Sequence, residues 1–364
     1  MRVFCTLLLL LCSFFATAQQ AELQALLQRE NVPGLQLVYT RQGETTQYSL
    51  GVRQAGATAA VEAGTVFQAA SLGKVVLAYT ALRLHDQGRL DLDKPLLSYY
   101  PYPRLQGQPR ANRITARMVL GHTTGLPNWR WIEPDKKLRF KFAPGAQYWY
   151  SGEGLQLLQL VVEQITGQSL TALSEARVFR PLGLARTSCV WQPAFEENHA
   201  LGYDEQGGVV GIRKRTKPGA AGSLTTTPAD YAAFLAAVMQ GRGLTPAAKR
   251  EMIRGQVRIP YRAQFGPLAT VAAPDSNRAI RLAYGLGWGT FRSPKYGPAY
   301  FKEGHDDGWE NHSVVFHQAK KGLVVLSNSA NADGIFRELL ARLLGDTATP
   351  WEWENYVPYS GGRP

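Results

Sequence analysis

Residues Thr65–Pro101 read TVFQAASLGKVVLAYTALRLHDQGRLDLDKPLLSYYP. Within them Leu72, Val75, Val76, Tyr79 and Leu82 recur at i, i+3 and i+4. That spacing predicts an amphipathic helix with one apolar face, ended by Gly88. Ser71 stands at its start and Lys74 three residues on, which places both side chains on one face. A serine hydroxyl is a poor nucleophile until a base takes its proton, and a lysine acts as that base only if burial or nearby positive charge lowers its pKa. The start of a helix also offers free backbone N–H groups to a developing oxyanion. Alone, Ser-x-x-Lys is a weak pattern: roughly one or two arise by chance in a chain of ordinary composition. This chain holds a single instance.

Upstream, the first residues are MRVFCTLLLLLCSFFATAQQ. Arg2, an apolar run from Val3 to Phe15 and the small-x-small Ala16-Thr17-Ala18 predict a signal peptide over residues 1–18, cleaved or retained as an anchor. No later stretch approaches the roughly 18 uninterrupted apolar residues of a membrane span. Beyond the leader only Cys189 remains, which gives no internal disulfide and no metal cluster; it reads as a small buried hydrophobe. The chain is 45% hydrophobic and 19% charged, a globular composition. The formal charge of +12 comes without any zinc-finger, RNP or helix-turn-helix pattern. Solubility, an anionic substrate or an anionic envelope polymer is therefore the expected consequence, and nucleic acid is not an expected partner.

The runs LQLVYT and TQYSLGV, separated by Gln42-Gly43, predict a hairpin. Between about Tyr99 and Gly145 proline, arginine and aromatic residues dominate and periodicity fades. Helical patterns return at GLQLLQLVVEQITG and PADYAAFLAAVMQG. YGLGWGTF, HSVVFHQ and GLVVLSN then read as strands, with a turn expected at Lys320-Lys321-Gly322, and IFRELLARLLG as a closing helix. Strands near both ends and helices between them predict an α+β fold: one antiparallel sheet built from both chain ends, flanked by helices, with a mostly helical middle. Residues 19–345 are expected to form the domain, and 346–364 an aromatic C-terminal tail.

The text around Ser71 resembles the serine β-lactamase and penicillin-binding-protein superfamily, in its class C β-lactamase-like branch. That branch also holds DD-peptidases, D-aminopeptidases and esterases. The resemblance continues through MVLGHTTGLPNW, FAPGAQYWYSGEGLQLLQLVVEQITGQSL, VFRPLGLARTS, GAAGSLTTTPADYAAFL, YGLGWG and GLVVLSN, in matching order. It implies a β-lactamase/DD-peptidase-like fold, Ser71 as nucleophile and Lys74 as its partner. It makes Tyr150 the tyrosine of a Tyr-x-Asn motif, whose phenolate a neighbouring lysine would favour. The asparagine is missing: Gly152 stands in its place and supplies no side-chain amide.

The third motif of the family is Lys-Thr-Gly or His-x-Gly. Lys-x-Gly occurs at Lys217, Lys295, Lys302 and Lys320. The run from Lys302 to Leu326-Ser327-Asn328 resembles the family's spacing, so Lys302 is favoured over a register on His305. Gly304 would then let substrate backbone approach, and His305 would give a second oxyanion N–H. Glu303 replaces the threonine, either facing the pocket and repelling a carboxylate or turned to solvent. His305, Asp306, Asp307 and His312 match no zinc spacing and read as polar residues at a cleft mouth, with no metal or organic cofactor expected. His122 is read as fixing a turn, and no Gly-x-Ser-x-Gly elbow is present. The resemblance implies an exported serine hydrolase acting through an acyl-enzyme on a D-amino-acid peptide, a peptidoglycan peptide, an ester or a β-lactam. The rival is a non-catalytic or sensory ligand-binding relative on the same scaffold.

Overall fold

The computed structural model describes residues 18–356. The leader, apart from Ala18, and residues 357–364 of the tail lie outside the described residues. The first helix, α1 (residues 18–29), buries Leu23, Leu26 and Leu27 at helical spacing and stops before Pro33. β1 (Gly34–Arg41) and β2 (Glu44–Gly51) form the expected hairpin. Its two-residue turn has Gln42 at φ 57° and Gly43 at φ 91°, the mirror-type geometry that matches strand twist.

β3 (Phe67–Ala70) leads into α2 (Gly73–Asp86). The helix is not amphipathic as its spacing suggested. It is buried on nearly every side from Gly73 to Leu82, because no charge stands between Val75 and Leu82 and Lys74 itself is buried. Ser71 sits in the turn two residues before its first helical residue. The aromatic, proline-rich stretch forms short turns and α3 (Ala116–Leu120). α4 (Gly152–Thr166) starts at a Ser151 cap, whose hydroxyl accepts from Gly154 N, and closes on Gly167 at φ 68°.

There follow α5 (Leu170–Ser174), α6 (Arg180–Leu182), the small hairpin of β4 (Gly202–Tyr203) and β5 (Val209–Gly211), and β6 (Leu224–Thr226), which pairs with β3. α7 (Pro228–Gln240) begins with a Thr227 cap and Pro228. Beyond it lie α8 (Pro246–Ile253), β7 (Val257–Arg258), α9 (Asp275–Ala279), β8 (Ala283–Tyr284) and β9 (Gly289–Ser293). β10 (Gly297–Asp306), β11 (Trp309–Phe316), β12 (Lys321–Ser327) and α10 (Asp333–Leu344) complete the order. The β11–β12 turn falls at residues 317–320, earlier than expected, because Lys321 already pairs with Phe316; only Lys320, at φ 52°, belongs to it.

The antiparallel sheet has the order β2-β1-β12-β11-β10-β9-β8-β7. The N-terminal hairpin docks on the last strand, Leu35 opposite Ser327 through Arg41 opposite Lys321. Alternation along β12 divides the interior. Val324 and Leu326 face α2, α4 and α7, whereas Leu323 and Val325 face α1 and α10. Each fully buried Leu, Val or Phe contributes about 1.5–3 kcal/mol, so covering both faces is the main stabilising term. Trp351, Trp353 and Tyr356 of the aromatic tail join the second core, so residues 351–356 are packed against the domain.

Candidate active site

β10 outruns β9: pairing with β9 ends at Phe301, whereas pairing with β11 continues to Asp306. The free side of Lys302–Asp306 is met by β3, which delivers Ser71. Ala70, just before it, has φ 47°, a conformation costly for a residue with a Cβ, at an irregularity in the β3–β6 pairing. The sharp bend presents the Ser71 hydroxyl to a pocket of about 450 Å³.

Two groups bracket that hydroxyl. Lys74 Nζ lies 2.8 Å from Ser71 Oγ and also donates to the Ala221 carbonyl. The Tyr150 hydroxyl donates to Ser71 Oγ at 3.0 Å. Lys302 Nζ lies 3.4 Å from the same tyrosine oxygen and 5.1 Å from its ring centre. Ser71 and Lys74, three residues apart, thus share one cluster with the distant Tyr150 and Lys302.

Their charge states differ from the expectation. Burial, then repulsion from Lys302, holds the Lys74 ammonium well below its usual range. Burial, then the Glu303 carboxylate, pushes the Tyr150 phenol well above 10, against the Ser71 hydrogen bond. The phenolate is disfavoured, and the neutral amine is the better base. Burial is the main cause of the reversal in both groups, and Glu303 adds to it only at Tyr150. Of the two orientations expected for it, Glu303 takes the one that lines the pocket, where it is buried and ion-paired to Lys302, with Gln264 Nε2 donating to its Oε1 at 3.0 Å. Burial works against its charge, yet attraction to Lys302 and these hydrogen bonds keep it below the usual carboxylate range.

Both glycines have close neighbours that leave no room for a side chain. A Cβ on Gly304 would lie 2.5 Å from the Ala69 carbonyl, so it is β3, not a substrate, that needs the space. A Cβ on Gly152 would lie 2.5 Å from the Trp129 ring, which fills the room a side chain would need. Trp129 is fixed from the start of α4: Glu153 N donates to the Asn128 carbonyl, Asn128 Oδ1 accepts from Gly152 N, and Glu153 carboxylate pairs with Arg130 at 2.8 Å.

His305 lies at the exposed rim of the pocket, bonded to Glu310 and pushed up to about 9 by that hydrogen bond and charge. His312 sits buried in the sheet, its Nδ1 3.0 Å from Glu354 of the tail. His122 does turn the chain, at φ 55°, and its ring also stacks on Tyr150 at 4.2 Å while Nδ1 accepts from Ser151 N. Burial and the two lysines keep that ring from charging.

The pocket walls escaped the sequence reading. Trp129 and Trp131 stack at 4.5 Å on one side, Phe265 meets Tyr150 edge-on at 5.1 Å on another, and Arg213 and Arg215 close the mouth with Asp306 and Asp307. The WRW tripeptide at 129–131 was the one available signal for an aromatic wall. Phe265 is held by the tail: Asn355 Oδ1 accepts from its N–H at 3.0 Å, Asn355 Nδ2 donates to its carbonyl at 3.2 Å, and Gln264 N donates to the Trp353 carbonyl at 2.7 Å.

Residues 20–346 match the family model described as Beta-lactamase. The chain is 25% identical over 364 residues to penicillin-binding protein 4 of Amycolatopsis lactamdurans, covering 95% of this chain and 93% of that one. It is 26% identical over 316 residues to the D-alanyl-D-alanine-carboxypeptidase/endopeptidase AmpH of Escherichia coli K12, covering 80% and 78%. To esterase EstB of Burkholderia gladioli it is 32% identical over 213 residues, about half of each chain (50% and 53%). Among solved structures, the octameric penicillin-binding protein homologue from Pyrococcus abyssi superposes with TM-score 0.73 at 19% identity, over 91% of this chain and 78% of that one. The D-alanine carboxypeptidase AmpC from Burkholderia cenocepacia superposes with TM-score 0.69 at 21% identity, over 86% and 93%.

Proposed function

The chain belongs to the beta-lactamase family, and from that premise we propose that it is an exported serine hydrolase working through an acyl-enzyme on neutral ester or amide carbonyls. One observation carries the reading: the Ser71 hydroxyl lies 2.8 Å from a buried amine biased towards its neutral form. Neutral Lys74 takes the Ser71 proton as Oγ attacks the carbonyl carbon. The oxyanion is received by the N–H groups of Ser71 and His305. The leaving group takes its proton from the Lys74 ammonium through the Tyr150 hydroxyl, which is left protonated, and departs. Water then attacks the acyl-serine, gives its proton to Lys74, and the serine recovers that proton as the acid leaves. Every residue ends as it began. Export rests on the leader at residues 1–18.

Substrate class follows from the two replaced residues. The Lys302 charge is compensated by Glu303 and so offers little to a substrate carboxylate. Trp129 occupies the side-chain space at Gly152 and offers an apolar face instead of an amide. Neutral, apolar acyl esters fit this pocket better than penicillins or D-Ala-D-Ala peptides, which carry a carboxylate. The test is intact-mass analysis after a fluorophosphonate, followed by turnover of an aryl ester, a penicillin and a D-Ala-D-Ala peptide. A single adduct, absent in Ser71→Ala, and preference for the ester are expected. No adduct on the native protein would return the chain to the non-catalytic reading, and faster penicillin turnover would remove the ester assignment.

A further inference from the structure

Seven large apolar side chains are strongly exposed among the described residues: Trp131, Ile132, Val209, Val210, Phe265, Leu268 and Val271. Scattered singly they would be ordinary. They occur instead on three segments around one opening. Trp131 and Phe265 line the Ser71 pocket, and Ile132 follows Trp131 directly. Val210 lies against Gly308, next to the pocket residue Asp307. Leu268 and Val271 share the Phe265 loop, whose backbone is pinned by Arg262 N to the Val271 carbonyl at 2.9 Å and by Asn355. Val271, 44% exposed, is therefore held outwards on fixed backbone, and Ile132, 64% exposed, sits in a turn closed by Glu133 N to the Arg130 carbonyl at 3.1 Å.

Beside the Trp131 segment lies a cleft of about 730 Å³ lined by Arg104, Arg110, Lys136 and Lys137. Among the described residues, the side chains of these four make no hydrogen bond or ion pair. Arg130 joins the two features, lining the cleft while its guanidinium lies 5.5 Å from the Trp131 ring centre. Exposed aromatic and aliphatic side chains flanked by uncompensated cations, on a chain of formal charge +12, match a surface with apolar depth and negative headgroups.

We propose that the rim of the pocket docks on an anionic lipid surface. Trp131, Ile132, Phe265, Leu268 and Val271 enter the headgroup region, and Arg104, Arg110, Lys136 and Lys137 face lipid phosphates. Taken with the ester reading above, on which this last step alone rests, the pocket then opens onto acyl carbonyls held at that surface.

The test is sedimentation of the full chain with vesicles of phosphatidylglycerol or of phosphatidylcholine, using native protein, Ser71→Ala, Ile132→Ser/Leu268→Ser/Val271→Ser, and Arg110→Glu/Lys136→Glu/Lys137→Glu. Native protein and Ser71→Ala are expected to bind the anionic vesicles equally, and to release as salt shortens the screening length. Each triple variant is expected to bind at least about tenfold more weakly, with hydrolysis of a soluble short-chain ester within about twofold of native. Binding by Ser71→Ala keeps the docking claim independent of catalysis. Absence of binding to phosphatidylglycerol at low salt, or equal binding by both triple variants, would overturn it. A concentration-dependent dimer abolished by the triple serine variant, without vesicle binding, would assign the surface to a second copy and equally overturn it.

Discussion

At the scale of single residues, the charge on Lys74 decides the chemistry proposed for the pocket. Burial and Lys302 disfavour its ammonium, while burial and Glu303 disfavour the Tyr150 phenolate, so the amine begins the reaction and the phenol relays. Tyr150→Phe keeps the stacking on His122 and removes only the relay. It is expected to lower kcat by about 100-fold with little change in KM, measured on the aryl ester; near-native kcat would assign the proton path to another group. Gly152→Asn, the change that would rebuild the missing amide, meets the Trp129 ring at 2.5 Å. Alone it should cost about 1–3 kcal/mol in urea denaturation, and Trp129→Ala beside it should recover most of that. Equal stability of Gly152→Asn and native protein would mean the ring moves freely. Motif spacing named Ser71, Lys74, Tyr150 and Lys302, which the fold brings together. It could not give their protonation, which depends first on how deeply the fold buries Lys74 and Tyr150 and then on the charges of Lys302 and Glu303 beside them. A motif fixes residue types, but the burial of Lys74 and Tyr150, with Glu303 beside the phenol, decides which of the two groups holds the proton.

At the scale of elements, the N-terminal hairpin, the helices after Ser151 and Thr227 and the last strands were legible because caps, turn glycines and periodicity are local signals. The burial of α2 was only half legible: its apolar spacing looked one-sided and the charge-free run from Val75 to Leu82 permits burial all round, but the helices that cover it, α3, α4 and α8, are brought there by the fold. The aromatic tail packs, and local pattern does not say against what. Its aromatics join the second core, and the segment clips the Phe265 loop and, through Gln264, touches the Lys302–Glu303 pair. Asn355→Ala removes both of its hydrogen bonds to Phe265 at a partly exposed site. A loss of about 1–2 kcal/mol is expected, together with a raised KM for apolar esters and little change in kcat. If KM and the urea midpoint both stay native, the loop holds its position without the tail. The remaining aromatic wall was illegible for a related reason. Trp129 faces the pocket only because Glu153, at the start of α4, grips Asn128 and Arg130.

At the scale of the whole molecule, a sheet closed from both chain ends separates two cores, and the charged cluster lies between them. That position gives stability a pH dependence whose sign can be worked out. The Lys74 pKa is lowered well below 10.5 in the folded chain, so between that lowered value and 10.5 the unfolded chain binds the proton and the folded chain does not. Stability therefore rises with pH across this window, by at most about 1.4 kcal/mol per pH unit for this one group. Lys302 is lowered as well, chiefly by burial and less far because Glu303 attracts its charge, and acts in the same direction nearer the top of the window. Glu303 acts at the other end. Its lowered value makes its contribution present above 4.5 and lost on acidification below that. Lys74→Met fills similar volume without a proton to bind, so its urea midpoint should rise less than the native midpoint between pH 8 and pH 9.5. Titrations away from the Lys74–Lys302–His122 cluster cancel in the comparison because both proteins share them. Parallel slopes would mean that Lys74 stays charged in the fold, and the base that opens the proposed reaction would then have to be sought elsewhere.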